Sequence, residues 1–213
     1  MDLYEAIYRR RDVRRFRSDP VADDVLARIL DAAHHAGSVG FMQPWNFIVV
    51  RSLEIRQQVH EVFAQENSRA ADNYMGERRS LYESLKLAGV LEAPVSLAVT
   101  CDRSRKGPAV LGRNTMPETD IYSTCCAIQN LWLAARTEGL GVGWVSILDP
   151  VAVKSLLGIP EEVVLVAWLC IGVPLQFDER PMLETTGWET RLPLDEVVFA
   201  ERWQQPWIVP QSK

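Results

Sequence analysis

The chain has 213 residues, of which 47% are hydrophobic and 24% charged, a composition typical of one folded domain with a sizeable core. Its formal net charge of -5 argues against nucleic acid as the main partner. No stretch approaches the roughly 18 apolar residues of a membrane span, and the charged opening MDLYEAIYRR does not fit a signal peptide. The four cysteines lack the spacing of a metal site, so we expect buried thiols in a cytoplasmic protein that binds no metal and no membrane.

Hydrophobic periodicity predicts helices and strands along most of the chain. In chain order these are helices over 2–11 and 23–36, a strand over 45–51, a long helical stretch over 56–89 that breaks near 75–76, a strand over 95–101, a helix over 121–136, a strand over 142–147, a helix that begins at 149–150 and a strand over 163–172. The clearest helix is 121–136, where apolar residues recur at steps of three and four. The pattern predicts an α+β fold, a central sheet covered by helices on both faces.

We expect a single domain over 1–213, with two segments that extend from it. The polar helical stretch at about 56–92 is expected to form a lid-like excursion. The tail from about 174 to 213 is rich in Pro and Trp and has no core pattern of its own. We therefore expect it to be an arm that wraps over a partner subunit.

Two familiar site motifs are absent. GLGVG (139–143) resembles a dinucleotide-binding turn, but here the helix comes before the strand, whereas that motif needs strand, turn and then helix. Ser146 does not lie in a GxSxG elbow, and the adjacent His34 and His35 diverge on a helix, so they cannot share a metal. The sequence predicts neither a catalytic triad nor a metal site.

The segment YRRRDVRRF (Tyr8 to Phe16) carries five arginines in nine residues of an otherwise acidic chain. Guanidinium groups present paired, planar donors that suit a phosphate. The segment therefore indicates a site for one phosphorylated ligand. A solvated basic face that pairs with acids elsewhere in the chain is the alternative.

Several motifs extend this reading, and they occur in one order along the chain: RRDVRRF, SVGFMQPWNFIVV (38–50), SLKL (84–87), EAPVSLAVTCDR, YSTCCAIQNLWLAAR and GVGWVSILDP. Over residues 3–203 the chain resembles the FMN-dependent nitroreductase superfamily. The motifs SVGFMQPWNF, SLKL and GVGWVSILDP resemble most closely one branch of that superfamily, the aerobic 5,6-dimethylbenzimidazole synthases. The resemblance implies a nitroreductase-like fold with a central mixed β-sheet flanked by helices, and a homodimer with domain-swapped arms.

The resemblance also implies which residues bind FMN. Arginines 10, 11 and 14 would hold the phosphate and ribityl chain, and Lys86 would reach the polar edge of the ring. Arg191 would add a second phosphate contact from the arm. The full implied set is Arg10, Arg11, Asp12, Val13, Arg14, Gly37, Ser38, Lys86, Val145, Ser146 and Arg191. Gly37 stands where relatives commonly have proline, which leaves the loop around Ser38 less rigid.

Asp12 is the unusual member of this set, because an aspartate beside a phosphate is repelled unless arginines offset it. The resemblance implies that Asp12 and Ser146 are catalytic, in an oxygen-dependent fragmentation of reduced FMN to 5,6-dimethylbenzimidazole and erythrose 4-phosphate. Reduced FMN would then be a substrate, dioxygen a co-substrate, and a separate flavin reductase the supplier. The arginines should lower the pKa of Asp12. An aspartate that only orients Arg11 or Arg14, an NAD(P)H-dependent nitroreductase or dehalogenase, and a flavin carrier are the alternatives.

Overall fold

A computed structural model describes residues 1–208 of the chain, and this part contains seven α-helices and four strands. The helices are α1 (Leu3–Arg9), α2 (Asp23–His34), α3 (Leu53–Ala71), α4 (Gly76–Ser84), α5 (Thr119–Thr137), α6 (Pro150–Leu157) and α7 (Met182–Thr185). The strands are β1 (Trp45–Val50), β2 (Val95–Cys101), β3 (Gly141–Val145) and β4 (Val164–Gly172). None of the described helices is long and apolar enough to cross a bilayer.

The four strands form one sheet in the order β1-β2-β4-β3, and every neighbouring pair is antiparallel. The expected mixed sheet is therefore an antiparallel sheet, since a helical connection between two strands permits either strand direction. Its parallel element is the isolated bridge between Asp12 and Val142, along the free edge of β3. The segment that carries the arginines thus lies at the edge of the sheet.

Alternation along the strands separates two apolar layers, as expected for a sheet covered on both faces. In β2, Val95, Leu97 and Val99 pack into the layer under α2 and α5, and Ala98 packs into the opposite layer with α3 and α6. The two-sided prediction is confirmed. The reason is visible in the sequence, because strands buried on both faces are apolar almost throughout.

Local signals located most of the element boundaries correctly. Asp149 accepts a hydrogen bond from the backbone N–H of Val151 at 2.9 Å and begins α6, with Pro150 in the first turn. The long polar stretch is two helices, and α4 begins at Gly76, where the break was predicted. Cys101 and Cys170 are buried as expected, whereas Cys126 lies on the exposed face of α5.

The chain divides into two units, Met1–Glu179 and Arg180–Lys213. The second unit holds the short helix α7 and a bridge between Phe199 and Pro206. Residues 209–213, the end of the expected arm, lie outside the described residues. The lid at 56–92 and the arm over a partner subunit stay predictions.

Two glycines of β3 are required by the segment that crosses them. A Cβ on Gly143 would lie 2.1 Å from the carbonyl oxygen of Val13 and 2.8 Å from a guanidinium nitrogen of Arg14. A Cβ on Gly141 would lie 2.7 Å from the side chain of Val13. Gly141 and Gly143 of GLGVG therefore permit the close approach of residues 13 and 14, which the sequence analysis did not foresee.

We expect Gly143→Ala to lower the free energy of unfolding by about 3 kcal/mol, because the added methyl must displace the backbone of Val13. Urea unfolding followed by circular dichroism measures this change. Gly37→Ala is the matched control, since nothing lies within 4 Å of its Cβ position, and it should change stability by less than about 1 kcal/mol. Equal effects of the two substitutions would contradict the close approach.

Candidate active site

The site is built on the edge of β3, where residues 12 to 14 run beside the strand. The backbone N–H of Val13 donates to the carbonyl of Val142 at 3.0 Å. The backbone N–H of Trp144 donates to Oδ1 of Asp12 at 2.8 Å. The carboxylate of Asp12 thus satisfies an edge donor of β3, and its position is set by the strand.

Arg14 binds the same carboxylate with both arms of its guanidinium. Its Nη1 donates to Oδ1 of Asp12 at 2.5 Å, and its Nη2 donates to Oδ2. Nη2 also donates to the carbonyl of Trp144 at 2.9 Å. The fork geometry of arginine permits this bidentate contact, so Asp12, Arg14 and Trp144 form one connected group.

Burial of the carboxyl group raises the pKa of Asp12 above its ordinary value, although Arg14, the Trp144 N–H and Arg10 all act to lower it. The arginines do lower this pKa, as expected, but burial raises it by more, so the expected lowered pKa is wrong. The cause is desolvation by the surrounding segment, even though the side chain keeps 43% of its surface exposed. A carboxylate with a raised pKa is a stronger base than an ordinary surface aspartate.

Arg11 and Arg10 lie next to this group. Arg11 donates from Nη1 to the carbonyl of Tyr8 at 2.8 Å and from Nη2 to the carbonyl of Glu179. The guanidinium of Arg10 lies over the ring of Trp132, 4.8 Å from its centroid. The predicted arginines are thus brought together at the edge of β3.

Two buried donors without acceptors make these residues suitable for a phosphorylated ligand such as FMN. The Nε atoms of Arg11 and Arg14 are buried and find no hydrogen-bond partner among the described residues. Buried donors without an acceptor cost free energy, and an anionic ligand at this edge would supply the acceptors.

Ser146 follows β3 directly, two residues beyond the Trp144 that holds Asp12. Two extended residues span roughly 7 Å, so Ser146 and Asp12 lie near the same end of the strand. Val145 and Ser146 line a cavity of about 180 Å³, together with Leu165 and Trp168. Val145 and Ser146 therefore lie at the same end of β3 as Asp12, and their shared role in flavin binding stays a prediction.

The loop that carries Ser38 has a strained and specific conformation. The Ser38 hydroxyl accepts a hydrogen bond from the Gln43 N–H at 3.1 Å. Phe41 and Gln43 both adopt positive φ angles, 51° and 52°, which side-chain-bearing residues rarely do. Such strain is concentrated at functional sites, which supports the assignment of this loop. Gly37 precedes it in open space.

Lys86 and Arg191 are the two remaining residues of the implied flavin site. The ammonium of Lys86 pairs with Glu92 and lines a separate cavity of about 240 Å³ with His60 and Phe63. Arg191 belongs to the second unit, where its side chain is exposed. Their assignment to the flavin stays a prediction.

The sequence analysis missed two tryptophans that hydrogen-bond to the arginine segment. Trp132 donates from Nε1 to the carbonyl of Arg11 at 3.2 Å, while Trp144 supplies the backbone groups around Asp12. The signal available for Trp144 was its place in GVGWVS, two residues before Ser146. Backbone contacts leave no such mark in a side-chain pattern.

The chain belongs to the nitroreductase family, whose model matches residues 7–173. Within that family it is similar to the 5,6-dimethylbenzimidazole synthase of Rhodospirillum rubrum, with 46% identity over 193 residues that cover 90% of this chain and 92% of the relative. The 5,6-dimethylbenzimidazole synthase of Rhodobacter capsulatus is 45% identical over 91% of this chain and 93% of the relative.

A solved structure shows the same fold. The crystal structure of oxidized iodotyrosine deiodinase bound to FMN and 3-iodo-L-tyrosine matches with a TM-score of 0.73, covering 95% of this chain and all of that chain. The two sequences are 23% identical, so this comparison speaks for the fold. The nitroreductase-like fold and the membership of this chain in the family are therefore confirmed.

Arg14→Lys should lower the free energy of unfolding by about 1–2 kcal/mol, because a lysine cannot bind both oxygens of Asp12 and the Trp144 carbonyl at once. Arg17→Lys is the matched control, since Arg17 pairs with Asp19 at the same two-residue spacing on the open surface. That exposed pair should contribute less than about 0.5 kcal/mol. Urea unfolding of both variants measures the difference, and equal losses would contradict the connected group.

Proposed function

We propose that the chain acts as a 5,6-dimethylbenzimidazole synthase that fragments reduced FMN with dioxygen, releasing erythrose 4-phosphate. The observation that carries this proposal is the carboxylate of Asp12, which Arg14 and the backbone N–H of Trp144 hold at the edge of β3. A reductase that retains its flavin has no evident need for a base beside the phosphate. The identity of 46% to a synthase over most of the chain supports the same choice.

Arg10, Arg11 and Arg14 would hold the phosphate and the ribityl chain. When bound, reduced FMN supplies the electrons for reaction with dioxygen and the carbon atoms of the product. The buried Nε donors of Arg11 and Arg14 give these contacts their strength, because charged hydrogen bonds in a partly desolvated site are worth about 1.5–3 kcal/mol each.

Asp12 would take a proton on the ribityl side. Its two oxygens are held by Arg14 and Trp144, so its direction is fixed before the substrate arrives. The raised pKa of Asp12, caused by burial, makes the carboxylate a better proton acceptor near neutral pH. The pairing with Arg14 is also what the alternative predicts, in which Asp12 only orients an arginine, and the rate of the Asp12→Asn variant separates the two.

Ser146 would donate a hydrogen bond to the ring and steer the reaction with dioxygen. Its hydroxyl makes no hydrogen bond to another described residue, and it lines the cavity beside Val145 and Trp168. The apolar segment Val39 to Met42 would exclude water from the reacting atoms.

A separate flavin reductase is proposed as the supplier of reduced FMN, and a homodimer as the working form. The exposed apolar residues of α1, Leu3, Tyr4 and Tyr8, support a second copy as their cover. A molar mass of twice 24.1 kDa by light scattering would support the dimer. Four free cysteines favour the reducing cytoplasm as its location.

The test of the function is incubation of the protein with FMN, a flavin reductase, NADH and air. We expect 5,6-dimethylbenzimidazole by mass spectrometry, and none when either the reductase or air is left out. Bleaching of bound flavin by NADPH alone, with reduction of a nitroaromatic compound and no benzimidazole, would instead establish the NAD(P)H nitroreductase.

Asp12→Asn should lower the rate of benzimidazole formation at least about 100-fold, because the amide cannot accept the proton. FMN affinity, measured by fluorescence quenching, should change only a few-fold. Asp19→Asn is the matched control, since Asp19 also pairs with an arginine two residues away and lies outside the site. A near-normal rate in the Asp12 variant would refute the base.

Ser146→Ala should consume dioxygen while forming little product, because the hydroxyl that steers the reaction is gone. An oxygen electrode and product analysis measure the two quantities on one sample. A normal ratio of product to oxygen would rule out the steering role.

A further inference from the structure

The last turn of α5 brings one more arginine to the site. Arg136 donates from Nε to the carbonyl of Arg9 at 3.3 Å. Its guanidinium carbon lies over the ring of Phe177, 3.7 Å from the centroid. One turn earlier on the same helix, Trp132 holds the carbonyl of Arg11. The end of α5 therefore supports the arginine segment through two side chains.

The charges around Arg136 are unbalanced. Burial, followed by the positive charges of Arg9 and Arg11, lowers the pKa of Arg136, which is the response of a cation placed among cations. Glu5 is the acid that acts against this, and it is already paired with Arg9 at 3.1 Å. Asp12 is likewise paired with Arg14. Glu5 and Asp12 are thus each paired with another arginine.

The Nη groups of Arg136 donate to no acceptor among the described residues. Its Nε contact and its stacking on Phe177 fix the plane of the guanidinium, so the free donors point in a defined direction. A fixed fork of donors with excess positive charge around it is the arrangement that binds a phosphate.

We infer that Arg136 is a further binding residue for the phosphate monoester of FMN, acting with Arg11 from the end of α5. The inference rests on the proposed function in so far as FMN is the ligand of the arginine segment. Its consequence is a preference for the phosphorylated flavin, because riboflavin lacks the group that Arg136 would contact.

A structural role is the competing explanation, since a cation in the last turn of a helix also interacts favourably with the helix dipole. That role predicts equal losses for all flavins. The ratio of the dissociation constants for riboflavin and FMN separates the two explanations, because a purely structural loss weakens both flavins whereas loss of a cation at the phosphate weakens FMN alone.

The experiment measures both constants for Arg136→Gln by flavin fluorescence quenching. We expect FMN to bind about tenfold more weakly and riboflavin to change less than about twofold. Arg28→Gln is the control. Arg28 lies on α2 and pairs with Glu138, directly after α5, and with Asp24, so its guanidinium is fully paired. It should leave the ratio unchanged.

Equal weakening of both flavins, or unchanged FMN binding, would overturn the inference. If the Gln variant does not fold, Arg136→Lys decides: a selective loss for FMN supports the contact, and an equal loss refutes it. A wild-type protein that binds both flavins equally would also refute it. Because these are binding measurements, they are independent of whether the wild-type protein forms benzimidazole.

Discussion

The close approach between residues 12 to 14 and the glycines of β3 is the constraint on which the site depends. With no Cβ at Gly143, the carbonyl of Val13 can lie against the strand, and the N–H of Trp144 can reach the carboxylate of Asp12. Any other residue there would move the segment outward and take the aspartate away from its donor. The geometry of the carboxylate is therefore set by a residue that has no side chain.

The same contacts explain why an acidic protein keeps five arginines and an aspartate in nine residues. Arg14 binds both oxygens of Asp12, and Arg10 and Arg11 lie beside this pair in the same segment. Asp12 gains a fixed direction from Arg14 and a raised pKa from burial, and a proton acceptor needs both. An arginine cluster that only bound phosphate would need neither. Under the proposed function, the aspartate would add a proton acceptor to a segment that binds the phosphate.

The sequence predicted the elements that repeat a simple pattern and missed those that depend on backbone contacts. The two-sided sheet, the break before Gly76 and the cap at Asp149 follow from periodicity and local chemistry. The direction of the strands and the roles of Trp144 do not, because neither leaves a side-chain signature. The motif resemblance located the arginine segment but could not predict whether the pKa of Asp12 is raised or lowered. That direction depends on how burial and the neighbouring arginines balance in the folded protein.

The parallel bridge between Asp12 and Val142 has a consequence beyond ligand binding. An outer strand presents unpaired amide groups to which another chain can add, and proteins need some device to prevent this. Here the ligand-binding segment is that device, because it covers the outer side of β3. Changes that loosen this segment should therefore promote aggregation as well as disturb the contacts around Asp12.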